Sequence, residues 1–278
     1  MGDWEAARRA FDEAEALLVT AGAGMGVDSG LPDFRGDEGF WRAYPAAKKL
    51  GLSFVELANP RWFEEDPALA WAFYGHRLHL YRETVPHEGF ARLLETGRKK
   101  GEYFVFTSNV DGQFQKAGYD SERIVECHGS IHHLQCTRCD AGIWSAEGVE
   151  VPIDAERFRA LAWPRCPRCG ATARPNILMF GDWGWDASRT EAQEERFEDF
   201  LQRLSVRGSR LVIVEIGAGT AVPTVRLTGE RIARQLGAKL IRLNPREPEV
   251  DRTLGRGFAV GGLEGIRRLT DSGKVSGS

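Results

Sequence analysis

The apolar run Ala16-Leu17-Leu18-Val19 passes without a linker into a segment with four glycines between Gly22 and Gly30, followed by Pro32-Asp33-Phe34-Arg35. A strand that ends in glycines lets backbone approach a pyrophosphate closely, because no Cβ stands between them. Gly-x-Gly by itself marks many tight turns. Here the glycines lead into an acid and an arginine at the same mouth, which adds a hydrogen-bond acceptor and a charged clamp.

Four more segments repeat the pattern of a strand ending in small or polar residues. Tyr103–Thr107 ends at Ser108-Asn109-Val110-Asp111, and Ile124–Glu126 ends at Cys127-His128-Gly129. Leu211–Ile216 ends at Gly217-Ala218-Gly219-Thr220, and Lys239–Leu243 ends at Asn244-Pro245. Ligands of open parallel α/β sheets bind outside the carboxyl ends of the strands, so one mouth can collect all five. The fold expected is α/β, a Rossmann-like parallel sheet. Helical periodicity over 4–15, with Asp3 as N-cap, and near 191–204 and 226–236 supplies covering helices. Residues 37–100, aromatic and punctuated by Pro45, Pro60, Pro67 and Pro86, read as short helices forming a module over the glycine loop.

A net charge of −3 and a pI near 6.1 argue against a protein that works by neutralising nucleic-acid phosphates. No apolar stretch approaches the roughly 18 residues of a membrane span. The acidic, helix-patterned start is unlike a signal peptide, so the expected location is cytoplasmic. The oligomeric state is left open.

Cys136-x-x-Cys139 and Cys166-x-x-Cys169 form two knuckles with 26 residues between them. By spacing they make a tetrahedral, all-sulfur and therefore structural zinc site. The long intervening loop adds only ~0.3 kcal/mol of closure entropy. Two disulfides are the alternative, one that suits secreted chains. His132 and His133 read as residues at the ribbon's edge, and Cys127 as a small buried hydrophobe. The resulting plan is a Rossmann-like fold over 1–36, 101–132 and 173–270. A helical module at 37–100 and a zinc ribbon at 133–172 are inserted into it, and 271–278 form a disordered tail.

Taken in order, Gly22-Ala23-Gly24, Ser29–Arg35, Asn109-Val110-Asp111, His128-Gly129, the four cysteines, Arg174-Pro175, Phe180-Gly181, Gly219-Thr220 and Asn244 resemble the sirtuins, the NAD-dependent protein lysine deacylases. The match runs from about residue 16 to 260. The resemblance implies NAD as cofactor, structural zinc, and acyl-lysine proteins or peptides as partners. It implies that Gly22, Ala23 and Gly24 hold the pyrophosphate and that Gly217, Gly219, Thr220, Asn244 and Val260 serve the cofactor site, Thr220 and Asn244 nearer the adenosine half. Asp33, Phe34 and Arg35 would lie over the nicotinamide ribose, residues 37–100 carrying the rest of the cofactor loop. Asn109 would orient that ribose, Asp111 would hold the carboxamide, and His128 would be the general base. In that family the acyl oxygen attacks the ribose carbon, nicotinamide leaves, and the resulting alkylimidate is resolved to free lysine and O-acyl-ADP-ribose. An imidazole titrating near pH 6.5 suits the base.

Tyr74-x-x-Arg77 resembles the motif of sirtuins that prefer succinyl, malonyl or glutaryl lysine. On a helix the two share a face, and an arginine can pair bidentately with a carboxylate. The other reading is a surface arginine and a core tyrosine. Phe180 and Gly181 would contact the peptide. Four departures from the family pattern stand out: Gly26 and Ala221 where serines are usual, Ser108 where a glutamine is common, and the segment Asp182–Trp185 where the family has Glu and then Leu-Pro. Mono-ADP-ribosyl transfer, NAD hydrolysis, or a non-catalytic NAD-binding zinc scaffold are the competing functions.

Overall fold

The computed structural model describes residues 2–33 and 36–271. Phe34, Arg35 and residues 272–278 of the tail lie outside the described residues. Strands β1 (Ala16–Ala21), β2 (Glu102–Thr107) and β3 (Ile124–Glu126) enter the main sheet in turn. β4 (Gly129–Cys136), the two-residue β5 (Trp144–Ser145), β6 (Ile153–Asp154) and β7 (Arg159–Ala160), and β8 (Ala173–Ile177) belong to smaller sheets. β9 (Leu211–Ile216), β10 (Lys239–Leu243) and β11 (Gly255–Phe258) then return to the main one.

Helix α1 (Gly2–Glu13) precedes β1. Between β1 and β2 lie α2 (Gly36–Ala43), α3 (Pro45–Lys49), α4 (Phe54–Leu57), α5 (Trp62–Glu65), α6 (Pro67–Glu83) and α7 (Glu88–Lys100). α8 (Gln113–Lys116) follows β2, α9 (Ser188–Arg207) precedes β9, α10 (Thr224–Leu236) joins β9 to β10, and α11 (Gly262–Thr270) follows β11. Asp3 falls inside the first turn of α1 rather than capping it, where its charge still favours the positive helix end.

The six strands of the main sheet lie in the order β11-β10-β9-β1-β2-β3, all parallel. Chain order therefore reverses between β1 and β9, the switch point at which such sheets leave a crevice. β1 and β9 are buried along their whole length, as continuous apolar runs in a sheet covered on both faces must be. One face packs Phe11, Phe90, Leu93 and Ile266, and the other packs Phe197, Phe200, Leu204 and Ile232.

β11 escaped the sequence reading. Its run, Gly255-Arg-Gly-Phe258, has neither alternation nor an apolar block, and a Cβ on Gly255 would sit 1.7 Å from the Leu240 carbonyl oxygen. The backbone needs a glycine there to pair with β10. A third core joins Phe40, Phe63, Trp71, Phe73 and Tyr74 of the helical segment to Leu134, Val151, Phe158 and Ala160 of the cysteine-bearing segment. The helices and the ribbon thus share one interior, and Trp71 Nε1 donates to the Ala173 carbonyl at 2.9 Å.

Candidate active site

A cleft of about 890 Å³ opens at the switch point. Its walls include Gly22 and Ala23 after β1, Asn109 and Asp111 after β2, His128 after β3, and Gly217, Gly219 and Thr220 after β9. Asp33, Tyr74, Arg77 and Phe180 complete the set of expected residues that reach it. Four of the five strand ends singled out in the sequence converge directly on one cavity.

The fifth acts from behind. Asn244 is fully buried; its Nδ2 donates to the Ala218 carbonyl at 2.8 Å, and its Oδ1 accepts from the Arg246 and Glu247 amides at 3.0 Å. It thereby fixes two cleft loops against each other. Glu247, absent from the sequence reading, accepts from the Thr220 hydroxyl at 2.5 Å and the Thr220 amide at 3.2 Å. The available signal was a carboxylate three residues past the Asn that ends β10. Gly24 also lies behind the wall: a Cβ on it would come within 2.5 Å of Gly217 Cα, and one on Gly217 within 2.3 Å of Gly24 Cα. Val260 is half-buried against the sheet core rather than among the cleft's walls, and Gly181 occupies the left-handed region at φ 67° beside Phe180.

The glycine segment forms two short 3-10 turns, Ala23–Met25 and Val27–Ser29. Its far end is pinned by His87, whose amide donates to Ser29 Oγ at 2.9 Å and whose Nε2 lies 3.0 Å from the Met25 carbonyl. Gly26 packs on Leu31, and a Cβ there would meet Leu31 Cδ1 at 3.0 Å.

Three groups at the β2 and β3 ends can do chemistry. Asn109 Nδ2 donates to the Gly22 carbonyl at 3.0 Å, and its amide donates to Thr107 Oγ1 at 3.0 Å. Burial pushes the Asp111 carboxyl up to about 6, the Gln113 amide opposing and Glu126 adding to the rise. Burial lowers His128 below its usual 6.5, opposed by a hydrogen bond with the Ser108 backbone. A neutral imidazole at pH 7 follows, open to a proton.

Tyr74 and Arg77 share one face of α6 and wall the cleft together. Arg77 is buried rather than a surface residue, its Nε donating to Tyr81 Oη at 3.0 Å with its guanidinium against Phe73 and Tyr74. Burial pushes Tyr74 up to about 12, keeping its hydroxyl a neutral donor. The segment after β8 forms the opposite rim. Leu178 N donates to the His128 carbonyl at 3.0 Å, and Phe180 N to the Ala58 carbonyl at 3.0 Å.

The Sγ atoms of Cys136, Cys139, Cys166 and Cys169 all lie within 4.8 Å of one another, with pairs at 3.6 Å. Tetrahedral Zn–S bonds of about 2.3 Å demand edges near 3.8 Å, whereas a disulfide needs about 2.05 Å. Amides of Arg138 and Cys139 point at Cys136 Sγ at 3.3 Å, and that of Arg168 at Cys166 Sγ at 3.4 Å, as suits thiolates. The four cysteines therefore fit a structural zinc ion.

Comparison with known proteins agrees with this geometry. The model of the Sir2 family matches residues 22–205. An NAD-dependent protein deacylase of Aeropyrum pernix is 33% identical over 87% of this chain and 85% of its own length. NAD-dependent protein deacylase 1 of Caldanaerobacter subterraneus subsp. tengcongensis is 29% identical over 94% and 96%. A crystal structure of a Sir2 homologue in complex with NAD superposes with a TM-score of 0.71 at 25% identity, covering 96% of this chain and 92% of the other. The chain belongs to the Sir2 family, the NAD-dependent protein lysine deacylases.

Proposed function

We propose that this chain removes acyl groups from protein lysines with His128 as general base, and that acidic acyl groups such as succinyl or malonyl are preferred. One observation carries the reading: His128 and the Tyr74–Arg77 pair wall the same cleft as the glycine loops Gly22–Ala23 and Gly217–Thr220. NAD, when bound, supplies the ribose carbon that takes over the acyl oxygen as nicotinamide departs. Gly22, Ala23, Gly217, Gly219 and Thr220 would hold its phosphates and adenosine half, with Gly24 and Asn244 supporting them. Asn109 would set the nicotinamide ribose and Asp111 the carboxamide.

His128, neutral at pH 7, would take the proton from a ribose hydroxyl as that oxygen moves onto the acyl carbon. Arg77 would pair with the distal carboxylate of the acyl chain while Tyr74 donates a hydrogen bond. Phe180, half exposed at the rim, would lie against the lysine stem. We place the protein in the cytoplasm because four reduced thiols serving as a metal-ligand set suit a reducing compartment.

The test is a panel of acetyl-, succinyl- and malonyl-lysine peptides with NAD, both products read by mass spectrometry. Succinyl-lysine should give the higher kcat/KM, and Arg77→Met should erase the preference. Equal rates on all acyl groups in the parent would discard the acidic preference. Free ADP-ribose without O-acyl-ADP-ribose would mark an NAD glycohydrolase instead.

A further inference from the structure

A second cavity, of about 610 Å³, shares the walls Tyr81 and Asp111 with the cleft and otherwise has walls of its own. Its volume falls in the range of small-molecule sites. Helices α6 and α8, strand β4 and the first half of α9 enclose it. The deacylation chemistry makes no use of it. Among the described residues its charged walls are Arg82, Lys116, Arg189 and Arg196 against Asp111 and Glu122. Arg82 spends donors on the Ala146 and Val149 carbonyls at 2.7 and 2.6 Å, and Lys116 on that of Thr84 at 2.6 Å. Carbonyls balance no net charge. The carboxylate nearest Arg82, Glu150 at 3.6 Å, is largely exposed to water.

Arg189, Gln193 and Arg196 stand at i, i+4 and i+7 of α9, on one face of the helix. That face is fastened to the sheet. Gln193 Oε1 accepts from the Glu126 amide at 3.0 Å, and Thr190 Oγ1 donates to the Glu126 carbonyl at 3.1 Å. Arg189 Nη2 pairs with the buried Glu126 carboxylate at 2.5 Å, while its Nη1 is buried with no partner among the described residues. His133 Nδ1, on the facing strand, is in the same condition. Burial, with Arg189 and His132 adding to it, pushes the His133 imidazole down to about 4. A donor buried without an acceptor is costly, and folds keep few of them. An oxyanion beside Arg189 would satisfy that donor and relieve the positive field on the wall.

We propose that this cavity binds a small molecule carrying two oxyanion groups, phosphate or carboxylate. One group takes Arg189 Nη1. The other pairs with Arg196, two helical turns or about 10 Å farther along α9. Guanidinium groups hold either oxyanion through paired N–H bonds. Arg196 is available for this, since its partner Glu122, 3.1 Å away, is 69% exposed and such surface pairs hold weakly. The site stands whichever reaction the cleft performs.

The experiment is isothermal titration calorimetry of the full chain at low salt. The probes are pyrophosphate, citrate and, as the single-group control, acetate. Pyrophosphate or citrate should bind at a single site, at least about tenfold tighter than acetate, and the tighter of the two tells which oxyanion is held. Arg196→Gln, which leaves the core untouched, should weaken that binding about tenfold. Arg189→Gln is combined with Glu126→Gln so that no buried charge is stranded, and this double variant should weaken it at least as much. If the double variant does not fold, Arg196→Gln decides alone. Binding should persist with ADP-ribose filling the cleft; binding seen only in its absence belongs to the glycine loops and would overturn the proposal. So would no binding of either probe, acetate binding equally well, or full affinity in Arg196→Gln.

Discussion

Asn109 donates its side-chain amide to the carbonyl of Gly22, 3.0 Å away, joining the ends of β1 and β2 at the floor of the cleft. The bond holds the Asn109 side chain beside the glycine loop, so its orientation is set before any ligand arrives. Asn109→Ala removes that donor without opening the core. Nicotinamide release should fall about 100-fold, the scale of a misplaced reacting group, with the melting temperature little changed. A single-turnover assay of nicotinamide release with acyl peptide measures it.

His128 is expected to act as a base in its neutral form, and burial holds its pKa below 6.5. Activity should be complete at pH 7 and be lost as pH falls through the lowered pKa. The acid limb of kcat/KM will therefore lie below pH 6.5 rather than at it. His128→Ala should cost about 100-fold or more in O-acyl-ADP-ribose formation. Initial nicotinamide cleavage should suffer less, because the base acts after it.

Asp111 carries an electrostatic cost to the unliganded fold. Its carboxyl, 3.8 when unperturbed, is raised to about 6 in the fold, so ionisation is disfavoured there. This penalty is absent well below pH 4, grows between about pH 4 and 6, and is complete above 6. Asp111→Asn keeps the acceptor for the Gln113 amide and removes the charge. At pH 7 it should stabilise the unliganded protein, by at most about 3 kcal/mol, and weaken NAD-dependent turnover. At pH 4 the stability gain should vanish. Urea denaturation at both pH values, with NAD kinetics, provides the check.

The parts of this molecule legible in its sequence are those whose signal is local. The run Leu211–Ile216 announces a buried strand by composition, and Cys136-x-x-Cys139 announces a metal knuckle by spacing. The strand ends then point to one mouth because parallel sheets are built that way. What stayed hidden depends on partners distant in sequence. Glu247 earns its place only because Thr220 lies opposite it, and Asp182 only because Arg174 is buried beneath it. Tyr74 and Arg77 were placed on one helix face, but the burial of Arg77 required knowing what packs over α6.

Zinc removal should reach farther than the ribbon. Leu134, Val151 and Phe158 share a core with Trp71 and Tyr74, so loss of the cysteine cluster loosens α6 as well. A strong chelator should lower the melting temperature, expose new protease sites between residues 137 and 172, and abolish deacylation. Structural zinc contributes about 10 kcal/mol or more to the folding of small zinc-finger modules, so partial recovery on adding zinc back is the expected control. Full activity in a protein proven metal-free would refute this coupling.

Gly24 and Gly217 meet backbone to backbone, each occupying the volume the other's side chain would need. That contact limits how this chain and its descendants can change. Neither position can acquire a methyl group first, and acquiring both is worse than acquiring one, so no pair of small steps leads away from the two glycines. The loops around them can lengthen, exchange hydroxyls or change charge. The junction itself must be inherited intact, and it should be among the slowest-drifting points in the lineage.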